Sequence, residues 1–164
     1  MQEFEAPQLL LPEAGRLAGI DYGNARIGIA TCDPTQTFVT PLETYNRRNP
    51  RLDSQHFEQL CKLEQLVGWV IGLPIHCDGQ ESKKSSEVRE FAEWLTDLTG
   101  LPHTFYDERF SSKEARVLMY DTGWSQKQKK KNVDRLAAYL ILKHYLEART
   151  NRSGTDKVEN LPLE

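Results

Sequence analysis

The stretch Arg16-Leu-Ala-Gly-Ile-Asp-Tyr-Gly-Asn-Ala-Arg-Ile-Gly-Ile-Ala-Thr31 decides the fold. Two short apolar runs flank Gly23-Asn24, a pair suited to positive φ at a tight turn, so the stretch predicts a β-hairpin. Side chains alternate across a strand, which puts Leu17, Gly19 and Asp21 on one face and Ala18, Ile20 and Tyr22 on the other. On the returning strand Arg26, Gly28 and Ala30 share a face opposite to Ile27 and Ile29. One carboxylate, Asp21, therefore ends a buried strand beside glycines that leave room for close approach. An aspartate at such a turn can also serve only nearby backbone amides. The other elements decide between the two.

Outward from the hairpin, Thr37 to Tyr45 is rich in β-branched and aromatic residues and predicts a third strand, with Pro41 suited to an edge or a bulge. Asp53 is a candidate cap for a helix running to about Gln65. Gly68 to Pro74 is a continuous apolar run stopped by proline, as expected of a strand buried on both faces. A long polar loop from Ile75 to Lys84 follows it, a usual place for binding residues. Val88, Phe91, Ala92, Leu95 and Leu98 recur at helical spacing until Gly100 and Pro102 end the helix. His103 to Asp107 predicts a fifth strand, and Ser111 with Glu114 forms a capping box for a helix to about Tyr120. A last helix carries Val133, Leu136, Ala137, Leu140, Ile141 and Tyr145 and is expected to end near Ala148. This order implies an α/β fold, a mixed five-stranded sheet with helices on both faces. Residues 1–14 are expected to be a flexible N-terminal arm, 15–148 the single folded domain and 149–164 a disordered C-terminal tail.

Composition narrows the class. A chain of 164 residues suits one domain with a sizeable core. No apolar run approaches a membrane span, and the acidic start does not resemble a signal peptide. The three cysteines are odd in number without C-x-x-C spacing, which suits reduced thiols in the cytoplasm and argues against zinc. Net charge is −3, yet Glu3, Glu5 and Glu13 account for it, leaving the remainder neutral. Within that neutral body Lys127, Lys129, Lys130, Lys131 and Arg135 cluster around one acid, Asp134. Such a patch suits a nucleic-acid contact.

Asp134 stands on an apolar stripe with Ala137, Ala138, Ile141 and Tyr145. A carboxylate aimed at a core costs several kcal/mol unless a cation meets it. A helix starting near Lys131 would supply the ordinary explanation, an acid favoured by the helix dipole. Glu108 lies just beyond the fifth strand, where ligands of α/β sheets gather, and Asp107 competes with it because strand neighbours face opposite ways. Three acids from separate elements, without histidine or cysteine ligands, suit a hard cation such as Mg²⁺ or Mn²⁺. Two such ions can clamp a phosphodiester for in-line attack by water. Arg26, Arg109, Lys130 and Lys131 are the candidates to hold substrate phosphates.

Four motifs occur in order: Gly19-Ile-Asp-Tyr-Gly23 with Arg26-Ile-Gly-Ile-Ala30, Val70-Ile-Gly-Leu-Pro74 with Asp78-Gly79, Asp107-Glu-Arg109 with Ser111-Ser112, and Lys130-Lys-Asn-Val-Asp134 with Ala137-Ala138. Together they resemble the YqgF family, bacterial proteins described as Holliday-junction resolvases and as pre-16S ribosomal RNA nucleases. The likeness covers about residues 16–148. It implies a ribonuclease-H-like fold and a metal-dependent endonuclease cutting structured nucleic acid, with the family's acids falling on Asp21, Glu108 and Asp134. Phe110-Ser-Ser112 departs from the Leu-Ser-Thr of many members. The expected role is processing the 5′ end of pre-16S rRNA in the cytoplasm, away from membranes, by a monomer or weak homodimer. A junction-cutting DNA nuclease and a non-catalytic nucleic-acid-binding module are the alternatives. An ATPase of the actin and Hsp70 type needs two such domains, and this chain has one.

Overall fold

A computed structural model of the chain describes residues 11–74, 82–107, Val117 and 123–158, with side chains as far as Asn151. The expected sites Glu108 and Arg109, the pair Asp78-Gly79 and the Ser111 capping box lie outside the described residues. Eight described elements follow one another: β1 (Arg16–Asp21), β2 (Arg26–Cys32), β3 (Val39–Asn46), α1 (Pro50–Glu64), β4 (Leu66–Leu73), α2 (Lys83–Thr99), β5 (His103–Asp107) and α3 (Gln126–Val158). The strands form one sheet in the order β3-β2-β1-β4-β5. β1 pairs antiparallel with β2 and β2 with β3, while β4 runs parallel to β1 and β5 to β4. The expected mixed α/β sheet is therefore present.

The faces follow the alternation of side chains. Ala18, Ile20, Ile27, Ile29, Trp69 and Ile71 join α1 and α2 in one core, centred on Phe57. Leu17, Val70, Ile141 and Leu142 build the other core under α3. Each fully buried aliphatic or aromatic side chain contributes about 1.5–3 kcal/mol. Pro41 sits on the edge strand and at a register shift, pairing with Ala30 where Glu43 pairs with Ile29. Both of its expected settings coincide.

Four local expectations change. The hairpin connection Tyr22 to Ala25 contains no positive φ; a Cβ at Gly23 would instead stand 2.4 Å from the Arg26 carbonyl oxygen, so close approach fixes that glycine. Asn49, not Asp53, caps α1, its side chain accepting from the Leu52 amide, with Pro50 opening the helix. Asp53 is buried and accepts from the Tyr45 hydroxyl at 2.6 Å and the Arg48 amide at 3.0 Å. α3 continues past Ala148 to Val158. Before β1, Leu11 is buried, and the Pro12 carbonyl accepts from Gln36 and Arg149, which ties this segment to both the β2–β3 turn and α3.

Candidate nucleic-acid-cleaving site

Asp21 pairs with Gly28 across the β1–β2 ladder, so both point to the same face. That face belongs to α3. A Cβ on Gly28 would stand 2.0 Å from the Asp134 carbonyl oxygen, and one on Gly19 would stand 2.6 Å from that of Ala138. The helix backbone therefore rests directly on two strand glycines. This contact carries Asp134 over the end of β1, on the face of Asp21. Both residues are partly buried.

The helix dipole does not account for Asp134, because α3 starts at Gln126, two turns earlier. Oδ2 of Asp134 is buried and makes no hydrogen bond among the described residues. Arg26 Nε lies 3.2 Å from that oxygen, close enough for charge attraction but outside hydrogen-bond alignment. Burial pushes the Asp134 carboxyl above the usual carboxylate range, opposed by the charges of Arg26 and Lys84. A buried carboxylate oxygen that has an ion pair but no hydrogen bond among the described residues, in an all-oxygen donor set, fits a hard divalent cation. Among the described residues no three His, Cys, Asp or Glu are grouped to hold a metal.

Asp107 and Glu108 remained alternatives on sequence alone. Asp107 pairs with Leu73, whose side chain lies in the α1/α2 core, so Asp107 faces away from Asp21.

Beside Asp134 a groove of about 530 Å³ opens between α3 and the β2–β3 edge, lined by Arg26, Lys127, Lys130, Lys131 and Arg135. Thr44 Oγ1 donates to the Lys131 carbonyl at 3.1 Å and fastens the helix to β3 there. Glu43, the acid on this groove, lies 2.6 Å from His56. Three expected phosphate contacts, Arg26, Lys130 and Lys131, thus share one concave surface. Lys84, which the sequence places in the polar loop, lies in the first turn of α2, and its charge acts on Asp134. Its position after the buried strand was the only signal available.

A family model described as RuvX, Holliday junction resolvase, matches residues 15–148. A protein of Rhodopirellula baltica named "Putative pre-16S rRNA nuclease" is 47% identical over 137 residues, covering 84% of this chain and 79% of that one. One of the same name from Rhodobacter capsulatus is 38% identical over 147 residues, covering 90% and 91%. Among solved structures, T. thermophilus RuvC in complex with Holliday junction substrate has a TM-score of 0.53 at 15% identity, covering 84% of this chain and 96% of that one. The Fowlpox virus resolvase with substrate Holliday junction DNA has a TM-score of 0.52 at 11% identity, covering 81% and 97%. At those identities the likeness shows the fold, which is ribonuclease-H-like. By the span of the family match and the identity of these relatives, the chain belongs to the RuvX (YqgF) family.

Proposed function

We propose that this protein is a metal-dependent endonuclease that trims the 5′ end of pre-16S rRNA in the cytoplasm. The observation that carries the reading is the buried Asp134 oxygen without a hydrogen bond, held on the Asp21 face by the Gly28 contact. A buried charge left so poorly satisfied costs stability and persists where function uses it. Asp21, Glu108 and Asp134 are the residues that would hold Mg²⁺ or Mn²⁺. Divalent cations there supply Lewis acidity to the phosphodiester and to the attacking water.

The chain's own residues do the rest. Lys130, Lys131 and Arg109 bind the substrate backbone as charge-assisted donors. Arg26 balances Asp134 in the substrate-free state and can turn to a phosphate instead. Membership of the family and the names of its relatives support a nuclease; the rRNA substrate comes from those names. The second reading, a nuclease of branched DNA, draws on the family model's description and on the junction complexes of the two structural relatives.

Incubating the purified protein with a pre-16S transcript and with four-way DNA junctions, with and without Mn²⁺, separates these readings. We expect Mn²⁺-dependent cleavage of the transcript that Asp21→Asn abolishes. Cleavage of junctions alone favours the second reading. Activity that survives Asp21→Asn in nuclease-free preparations overturns the catalytic assignment.

A further inference from the structure

On the α1/α2 face a second cavity opens at the same end of β1. Tyr22 follows Asp21 directly, and alternation turns it to the opposite side of the sheet. Its ring lies 4.9 Å from Phe91, which lies 5.5 Å from Trp94. Arg47 spans the first two rings, its Cζ 5.3 Å from the Tyr22 centroid and 5.9 Å from that of Phe91. Arg47 Nη1 donates to the Tyr22 hydroxyl at 3.0 Å, and its Nε lies 3.4 Å from Asp53 Oδ2. The wall is thereby fixed from both sides. Tyr22 and Trp94 are only partly buried.

Tyr22, Arg47, Glu87, Glu90, Phe91 and Trp94 line a space of about 480 Å³, in the range of small-molecule sites. Glu87 and Glu90 stand one turn apart on α2, and neither has an ion-pair partner among the described residues. Two carboxylates repel a phosphate, and Arg47 is already engaged by Asp53 and Tyr22. A purely aliphatic group would leave those carboxylates unused. The group that fits is flat, aromatic and rich in N–H donors.

We propose that this cavity receives an unpaired nucleobase of the substrate, stacked on Tyr22 and Trp94 and hydrogen-bonded to Glu87 and Glu90, with guanine preferred. The inference rests on the nuclease reading of Asp21. Tyr22 is the residue after Asp21 and the cavity opens at that end of the sheet, so a strand with one phosphate at Asp21 runs past it, and a base of a neighbouring nucleotide can turn around the sheet end to Tyr22. Guanine offers a carboxylate two adjacent donors, N1–H and the N2 amino group. Adenine and cytosine offer one amino group, and uracil a single imino N–H. Base–aromatic stacking adds affinity without discriminating strongly, so the carboxylates supply the choice. Unpaired bases enter such a pocket at least cost, which selects loops, junctions and strand ends.

The test is binding, measured by fluorescence anisotropy with the Asp21→Asn protein. Five short RNAs differ only at one unpaired position, carrying guanine, adenine, cytosine, uracil or an abasic site. We expect guanine to bind tightest and the abasic RNA at least about tenfold more weakly. The double change Glu87→Gln with Glu90→Gln should erase the guanine preference. Trp94→Ala should shrink the gap between base and abasic RNA, and Trp94→Phe should restore it. Equal affinity for guanine and abasic RNA overturns the proposal, as does a guanine preference that survives the double change. Absence of cleavage by the unsubstituted protein breaks the nuclease reading instead, and leaves this binding series readable.

Discussion

Asp53 and Asp134 are both helical aspartates turned toward the sheet, one on each face, and they are treated in opposite ways. Asp53 lies in the first turn of α1, where the helix dipole favours an anion. Burial alone would raise its pKa, but hydrogen bonds from Tyr45, the Arg48 amide and Arg47 outweigh that and hold it below the usual carboxylate range. Asp134 lies two turns into α3, with one buried oxygen lacking a hydrogen bond and a raised pKa. The first arrangement spends its donors on stability. The second leaves one buried oxygen without a hydrogen bond among the described residues, and the proposed cation site rests on that oxygen. The difference teaches that burial alone does not set a carboxylate apart; the donors around it do.

The largest expected effect is on activity. Asp134→Asn should lower cleavage by more than about 100-fold, the upper end of what losing a supporting metal-site group costs. The same change should raise the unfolding midpoint at neutral pH. A raised folded pKa means that stability is full below the unfolded value and falls as pH climbs through the folded one, so the amide removes a penalty present at pH 7. Thermal unfolding across pH 4 to 8 checks this. A lower midpoint for Asp134→Asn would make Asp134 a second Asp53.

Asp53→Ala should do the reverse and cost about 3 kcal/mol, because it strands Arg47 and the buried end of Tyr45. Asp53 has a lowered folded pKa, so its contribution is present above the unfolded value near 3.9 and lost as pH falls through the folded one. Denaturant melts from pH 7 down to pH 2 should show a smaller acid-dependent loss in Asp53→Asn than in the parent, the remainder coming from carboxylates such as Asp33, whose pKa is also lowered.

Gly28→Ala tests how Asp134 is held. A methyl group 2.0 Å from the Asp134 carbonyl forces α3 off β2, at a cost of about 1–3 kcal/mol, and should weaken activity with it. Gly100→Ala is the control: its φ of +72° carries a penalty of about 1 kcal/mol, but nothing lies within 4 Å of the added carbon. An equal loss of activity in both would sever the packing from the site. The smallest effect belongs to the groove. Changing Lys127, Lys130 and Lys131 to Gln should flatten the dependence of log binding on log salt by roughly 0.7–0.9 per lost phosphate contact. An unchanged slope would return these lysines to ordinary surface.

The sheet was legible because periodicity two and the Pro74 and Gly100 stops report directly on burial and chain termination. Asp134 was legible for a related reason, since an acid at i, i+3 and i+7 with Ala137 and Ile141 contradicts the pattern around it. Three features were not. Asp53 resembled a cap because Asn49-Pro50 and Asp53 carry overlapping helix-start signals, and only the Tyr45 contact, across eight residues, separates them. Gly23 suggested positive φ, whereas a close carbonyl decided it. The Arg47, Tyr22 and Phe91 stack joins two connections and one helix that lie far apart in the chain, and no local pattern encodes such a meeting.

The central claim is that Asp21 and Asp134 serve one cation, and calorimetric unfolding with Mn²⁺ tests it most directly. Saturating Mn²⁺, at about 100 times its dissociation constant, should stabilise the parent by about 2.7 kcal/mol. For a chain of this size that shifts the midpoint by several degrees, about 2–4 °C for each kcal/mol. Asp21→Asn and Asp134→Asn should each lose most of the shift, while Asp53→Asn, less stable at the outset, should keep it. A full Mn²⁺ shift in either of the first two variants would contradict the account.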